Sequence, residues 1–404
     1  MFDLDKFIDE HVTMRNGSMF EKDIRDNADK LTQKIEGKSV LVIGGAGSIG
    51  SSFVKAVLPF KPSELVIVDV NENALAEETR DLRSTKGMFV PNIYRSYPMD
   101  YASPVFARMF RDNRGFDIVA NFSAHKHVRS EKDIYSIEAL IRNNVINAKK
   151  LLDLLCEYPP EEYFCVSTDK AANPVNIMGA SKRIMEDLIF SYSDRFPVKT
   201  ARFANVAFSN GSLPAGFLAR IEKKQPLGAP QDVKRYFVSP KESGQICMLS
   251  CMLGDNREIF FPKLEEEQMM RFDTIAEELL TEKGYEVLYC DSDEEAIEKA
   301  EELKKDPDCR KYPVHFSGSN TSGEKAYEEF YTESEMVDSD RLSALGVITD
   351  KAIPNKGEIV YFINNIEETF DRGDATKEEI VNSIKEYLPN FEHIETGKSL
   401  DSKM

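Results

Sequence analysis

The sequence predicts an α/β fold: a Rossmann-type doubly wound parallel sheet followed by a smaller, loop-rich part. Three observations carry this. SVLVIGG (39–45) is apolar without alternation, as a strand covered on both faces requires. Further apolar runs recur with helical patterns between them, at the spacing of strand–helix–strand units. A glycine triplet, Gly44, Gly47 and Gly50, stands directly after the first run and at a helix start.

Residues 1–36 are polar and helix-compatible, with no Pro and one Gly, and read as an N-terminal helical arm. The strand at 39–45 opens a dinucleotide-binding domain that spans 37–205. A helix at about 49–58, the strand LVIVDV (65–70) and a helix at 71–85 follow, then a third strand ahead of Asp100. The runs DIVANFS (117–123), YFCVST (163–168) and KTARFAN (199–205) supply the remaining strands, with helices at about 136–156 and 178–195. Beyond 205, Gly, Pro and Ser gather at 209–216 and 226–230, which suits a substrate-binding region (206–357) closing over the sheet's carboxyl edge. Within it, 264–316 reads as an acidic insertion, of which 264–310 is helical around a short strand at YEVLYC (285–290). A helical tail (358–404) contains the amphipathic DATKEEIVNSIKEYL (374–388).

Composition narrows the functions. The 404 residues are 41% hydrophobic, enough to bury a sizeable core. Arg and Lys number 52 against 70 Asp and Glu, and a net charge of −18 argues against a general nucleic-acid binder. Residues 264–310 hold 17 acidic and 6 basic residues, which reads as a solvated helical surface. The six cysteines form no disulfide or metal-binding spacing, so reduced thiols in a cytoplasmic protein are expected. The first residues lack the apolar centre of a signal peptide, and no stretch approaches the length of a membrane span.

The glycine triplet permits a tight turn and backbone approach to a pyrophosphate, with Ser48 and Ile49 opening the helix that faces it. Asp69 ends the second strand, where a carboxylate accepts ribose hydroxyls; no cation follows it for a 2′-phosphate, so NAD is expected over NADP. Asp100 is a candidate partner for the adenine amine. A second constellation is VSTDKAANPVNIMGASKR (166–183). It sets Thr168, Asp169 and Lys170 at the carboxyl end of a central strand, and Lys182 one helical turn after Met178. His125 and His127 lie after the fourth strand without further clustered ligands, so no metal site is expected.

These segments resemble the extended short-chain dehydrogenase/reductase superfamily, and within it the UDP-N-acetylglucosamine 4,6-dehydratases of polysaccharide biosynthesis. The resemblance rests on GGAGSIGSS (44–52), FSAHKHV (122–128), VSTDKAANPVNIMGASKR (166–183), RFANVAFSNGS (202–212), KRYFVSPKESGQI (234–246) and GEKAYEEFY (323–331), in family order. Met178 stands where the superfamily's Tyr-x-x-x-Lys has its tyrosine. A Met exchanges no proton, so a simple alcohol dehydrogenase is disfavoured. Many members with this Met are large membrane proteins, of whose catalytic domain this chain looks like a soluble form.

The resemblance implies tightly held NAD, oxidation at C4 of the hexose, loss of water across C5 and C6, and hydride return to C6. It gives Asp169 as acid at the C6 oxygen, Lys170 as base at C5, Thr168 on the C4 hydroxyl, Lys182 on the nicotinamide ribose and Met178 packed on sugar or nicotinamide. Ser123 and Ala124 are implied beside the cofactor. Lys126, Asn205, Ser209, Asn210, Arg235 and Glu324 are implied around the nucleotide sugar. A homo-oligomer is implied as well.

The chain departs from the family at three places. Thr321-Ser322-Gly323-Glu324-Lys325 replaces Arg-Pro-Gly-Glu-Lys, 264–316 is longer than usual, and Arg129-Ser130-Glu131-Lys132 replaces a Pro and a short acidic motif. Met178 resembles members that retain configuration at C5. A 5-inverting dehydratase, a nucleotide-sugar epimerase and a non-catalytic NAD- and nucleotide-sugar-binding protein are the alternatives.

Overall fold

The computed structural model describes residues 2–306, 308–319 and 329–395. The arm folds as α1 (Leu4–Phe7), α2 (Glu21–Asp26) and α3 (Ala28–Ile35). There follow β1 (Ser39–Ile43), α4 (Ser48–Val57), β2 (Glu64–Asp69), α5 (Glu72–Ser84), β3 (Ile93–Pro98), α6 (Pro104–Asp112) and β4 (Ile118–Asn121). Next come α7 (Ile134–Ile141), α8 (Asn147–Leu155), β5 (Glu162–Val166), α9 (Ile177–Phe190), β6 (Val198–Ala201) and the two-residue β7 (Asn205–Val206).

The later elements are α10 (Leu213–Glu222), β8 (Leu227–Pro230), β9 (Lys234–Arg235), β10 (Phe237–Val238), α11 (Pro240–Leu253), β11 (Glu258–Pro262) and β12 (Met270–Arg271). They continue with α12 (Phe272–Glu282), β13 (Glu286–Tyr289), α13 (Asp293–Lys305) and β14 (Lys311–Ser317). The chain closes with β15 (Met336–Asp338), β16 (Leu345–Thr349), α14 (Lys356–Asp371) and α15 (Lys377–Tyr387).

The main sheet has nine strands in the order β15-β16-β11-β6-β5-β4-β1-β2-β3. From β6 to β3 and between β6 and β11 the pairing is parallel, and β16 pairs antiparallel with both β11 and β15, so β16 alone among the described strands of this sheet runs the other way. The predicted doubly wound sheet is therefore present. Strand order reverses between β1 and β4, and that switch point opens a crevice at the carboxyl ends of the strands. β1, β4 and β5 are buried along nearly their whole length, which is why they lack alternation. Three strands drawn from 206–357 (β11, β15 and β16) complete this sheet rather than standing apart from it.

A smaller lobe has its own three-stranded parallel sheet, β13-β14-β8. It is built on a second apolar core containing Phe217, Leu227, Leu279, Tyr312 and Val314. As expected, the helices α12 and α13 stand on either side of the short strand β13 within 264–310. Beyond them, β14 adds a strand not anticipated from sequence, held between β13 and β8, so the segment closes as an α/β unit.

The arm crosses to this lobe. Phe7, Ile8 and Val12 enter the second core, and Phe7 meets Phe208 edge to face at 5.9 Å. Arg15 donates to both carboxylate oxygens of Glu242, at 3.1 and 2.8 Å. Glu242 is buried and closes the capping box at the start of α11.

Candidate active site

A cavity of about 960 Å³ lies between the carboxyl ends of the main sheet and the smaller lobe. That is at the upper end of the usual range for ligand sites. Its floor begins at the glycine turn. Gly44 has φ +70°, and a Cβ there would lie 2.7 Å from the Ser123 backbone nitrogen. A Cβ on Gly50 would lie 2.3 Å from the Gly44 carbonyl oxygen. A Cβ on Gly47 would meet only that same oxygen, at 3.4 Å, so its free side looks into the cavity. Gly47 is also the N-cap of α4 and brings no side chain to cap the first amides of that helix. A bare helix N-terminus beside an open glycine face fits a pyrophosphate.

Asp69 ends β2 next to this turn and accepts from the Ala46 and Asn71 amides at 3.2 and 3.0 Å. It lies outside the cavity lining, as does Asp100, which is exposed and caps its own turn through the Ala102 amide at 2.8 Å. Ser48 and Ile49 line the cavity. Ser48 Oγ also accepts from the Asn210 amide at 2.9 Å, a direct link between the two sides of the cleft.

Thr168, Lys170, Met178 and Lys182 come together on the wall above β5. Asp169 sits just behind, 3% exposed. Its Oδ1 accepts from Thr168 Oγ1 at 2.7 Å, the Lys170 amide at 2.9 Å and Lys170 Nζ at 3.1 Å. Thr168, Asp169 and Lys170 thus form one hydrogen-bonded unit in a short 3₁₀ turn. Lys182 Nζ donates to the Val166 carbonyl at 3.0 Å. Burial pushes its ammonium below the usual lysine range, with Cys165 and Glu186 partly opposing.

Ser167 Oγ donates to Glu186 Oε1 at 2.6 Å, and the fully buried Arg202 grips both Glu186 oxygens at 2.9 and 2.7 Å. Arg202 also holds Glu335 at 2.7 and 3.0 Å. Burial disfavours the Glu335 carboxylate, but Arg202 and Lys351 overrule it and hold its pKa at about 2. This network locks the end of β5 to α9 and to the segment before β15.

Lys126, His127, Asn205, Ser209 and Asn210 line the cavity, as does Ala124. Lys126 has surface open to the cleft, yet the surrounding walls desolvate it and lower its pKa. Ser123 is one step back, donating to Asn143 Oδ1 at 3.3 Å. His125 is held by its backbone to Asn144, and desolvation lowers its pKa. Arg235 does not line the cavity; it is buried and donates to the Lys234 carbonyl at 2.8 Å. Glu324 lies outside the described residues. Among the described residues no three His, Cys, Asp or Glu side chains cluster as a metal site would require.

Several cavity features were not anticipated from sequence. The start of α10, Leu213 to Gly216, lines the cavity, and so does Arg220 at its far end. Asn143 and Asn144 occupy a π-helical turn (Arg142–Ile146) between α7 and α8. Asn144 clamps both backbone groups of His125 and donates to Ser181 Oγ at 3.0 Å. Two adjacent Asn inside an apolar helical run were the available signal. From the smaller lobe, Asp293 and His315 line the cavity as a pair, Nδ1 to Oδ1 at 2.5 Å.

Comparison with known proteins agrees with this architecture. The family model described as "Polysaccharide biosynthesis protein" matches residues 40–349. An uncharacterized membrane protein of Methanocaldococcus jannaschii is 28% identical over 86% of this chain and 96% of its own length. The probable polysaccharide biosynthesis protein EpsC of Bacillus subtilis is 27% identical over 78% of this chain, which spans 48% of that relative's length. An inverting UDP-N-acetylglucosamine 4,6-dehydratase of Campylobacter jejuni is 28% identical over 56% of this chain and 67% of its own.

Among solved structures, Pen from Bacillus thuringiensis superposes with a TM-score of 0.62 at 20% identity, covering 82% of this chain and 98% of that one. A DesIV double mutant, a dTDP-glucose 4,6-dehydratase of Streptomyces venezuelae with NAD and DAU bound, gives 0.53 at 19% identity, covering 72% and 87%. At these identities the two structures speak for the fold.

Proposed function

The chain belongs to the polysaccharide biosynthesis protein family, and from that premise we propose that it is an NAD-dependent nucleotide-sugar 4,6-dehydratase. Its proposed substrate is UDP-N-acetylglucosamine or a close UDP-hexosamine, with retention at C5. One observation carries the reading: Thr168, Asp169 and Lys170 form a single hydrogen-bonded unit, facing Met178 and Lys182 across the first turns of α9.

NAD, when bound, supplies a two-electron acceptor that gives back what it takes, so the overall change is loss of one water. Gly44, Gly47 and the start of α4 suit its pyrophosphate, and Asp69 its adenosine ribose. Lys182, desolvated and anchored on Val166, holds the nicotinamide side. Thr168 orients the C4 hydroxyl. Lys170 takes the C5 proton while Asp169 gives a proton to the departing C6 hydroxyl. Elimination therefore begins with the proton on Asp169 and ends with Lys170 charged against the Asp169 carboxylate. The 3.1 Å separation of Lys170 Nζ and Asp169 Oδ1 supports pairing the two groups in this way. Met178 carries no proton, which leaves the acid–base work to that pair.

The test is incubation with UDP-N-acetylglucosamine in deuterated water, followed by mass spectrometry and proton NMR. A product lighter by one water with deuterium at C5 supports the reading, and its couplings give the C5 configuration. No turnover across a panel of nucleotide sugars by NAD-loaded protein overturns it.

A further inference from the structure

The sheet order fixes which end of the cleft each part of a ligand meets. The glycine turn lies at β1 and Asp69 at β2, whereas Thr168 and Lys170 lie at β5, and β8, α13 and β14 of the smaller lobe line the same cavity while Asp69 does not. A nucleotide sugar with its hexose at Lys170 thus runs its nucleotide toward the smaller lobe. At that end the wall is β8 and β14, with His315 in register with Gly228. Gly228 brings no side chain, so it leaves the space beside His315 clear. Asp293, in the first turn of α13, accepts the imidazole at 2.5 Å. In a neutral imidazole, a carboxylate on Nδ1 selects the tautomer with its proton on Nδ1 and its lone pair on Nε2. Both residues belong to the acidic segment that makes this chain longer than the family it resembles.

We propose that His315, oriented by Asp293, reads the nucleobase, with Nε2 accepting the ring N–H of a uracil- or thymine-type imide. Cytosine offers an acceptor at that ring position and leaves Nε2 facing a second lone pair. A site built to pair one hydrogen-bonding group rejects the base that lacks it. This rests on the nucleotide-sugar reading above and adds a determinant of its nucleotide.

The experiment is calorimetric titration of the full chain with UDP and with CDP, alongside His315→Ala, His315→Gln and Asp293→Asn. The unaltered protein is expected to prefer UDP. His315→Ala is expected to weaken UDP binding about tenfold, the scale of one hydrogen bond, and to leave CDP binding unchanged. His315→Gln, whose side-chain oxygen accepts, is expected to recover part of the preference, and Asp293→Asn to lose part. Equal affinity of the unaltered protein for both nucleotides overturns the proposal. So does a His315→Ala variant that keeps its preference or loses both nucleotides alike. None of these titrations needs turnover. A chain that dehydrates nothing but loses its UDP preference with His315→Ala keeps this inference and sinks the dehydratase reading. A working dehydratase whose preference is untouched by His315→Ala does the reverse.

Discussion

At the scale of single residues, the site separates groups that do chemistry from groups that hold them. Lys170→Met removes the proposed base from a turn whose backbone bonds remain. Its kcat is expected to fall at least about a hundredfold with little change in thermal midpoint, measured by turnover and scanning calorimetry. Lys182→Met replaces a buried ammonium by an apolar chain of similar length. Activity is expected to be lost while the thermal midpoint is kept or raised, because a desolvated charge leaves the core.

Glu335 gives the pH prediction. Its folded pKa, about 2, lies below the 4.5 of a free Glu. The stabilisation is thus complete above about 4.5 and is lost as pH falls toward 2, a contribution of roughly 3 kcal/mol. Urea midpoints between pH 7 and pH 3 are expected to fall steeply for the unaltered chain. For Glu335→Gln they should start lower and fall less. Thr168, Asp169, Lys170 and Lys182 were legible in the sequence because strand-end position and helical spacing put them together. His315 and Asp293 were not, because 22 residues separate them and only the lobe's strand–helix–strand crossover brings them into contact.

At the scale of elements, β1, β2, β4, β5 and β6 of the main sheet were legible because burial on both faces erases alternation, leaving unbroken apolar runs, whereas β11, β15 and β16 were not read as strands of this sheet. β14 was not, since Pro313 interrupts YPVHFS (312–317), and Pro reads as a break in a central strand. The register explains its tolerance. Val314 turns its carbonyl to β13, accepting from Cys290 at 2.8 Å, and Ser317 turns its carbonyl to β8, accepting from Gln231 at 3.1 Å. Pro313 shares the side of Ser317, and its missing N–H faces β8 ahead of Leu227, before that strand begins.

Helix packing supplies a second prediction. Gly244 lets α11 lie against α4, and a Cβ there would stand 2.1 Å from the Ser52 carbonyl oxygen. Backbone cannot swing aside as a side chain can. Gly244→Ala is expected to cost about 3 kcal/mol by urea unfolding and to disturb the helix that presents the glycine turn.

At the scale of the whole molecule, two apolar cores are stitched by the arm. Phe7, Ile8 and Val12 serve the smaller lobe while Leu31 and Ile35, from the same arm, serve the main core. Removing residues 2–12 is expected to speed amide exchange in α12 and β14 while β1, β4 and β5 stay protected, as read by hydrogen-exchange mass spectrometry. The cleft lies between these two bodies, so the arm bears on how steadily it is held.

The return of the chain from the smaller lobe to the main sheet has a consequence for digestion. β16 zips antiparallel onto β11 with the whole of β12 to β14 looped out between them, and Lys305 ends α13 on an exposed stretch. A single tryptic nick after Lys305 would sever the covalent path, but each fragment would still own strands of both sheets. The two pieces should co-elute as one native-sized particle on a sizing column and part only in denaturant.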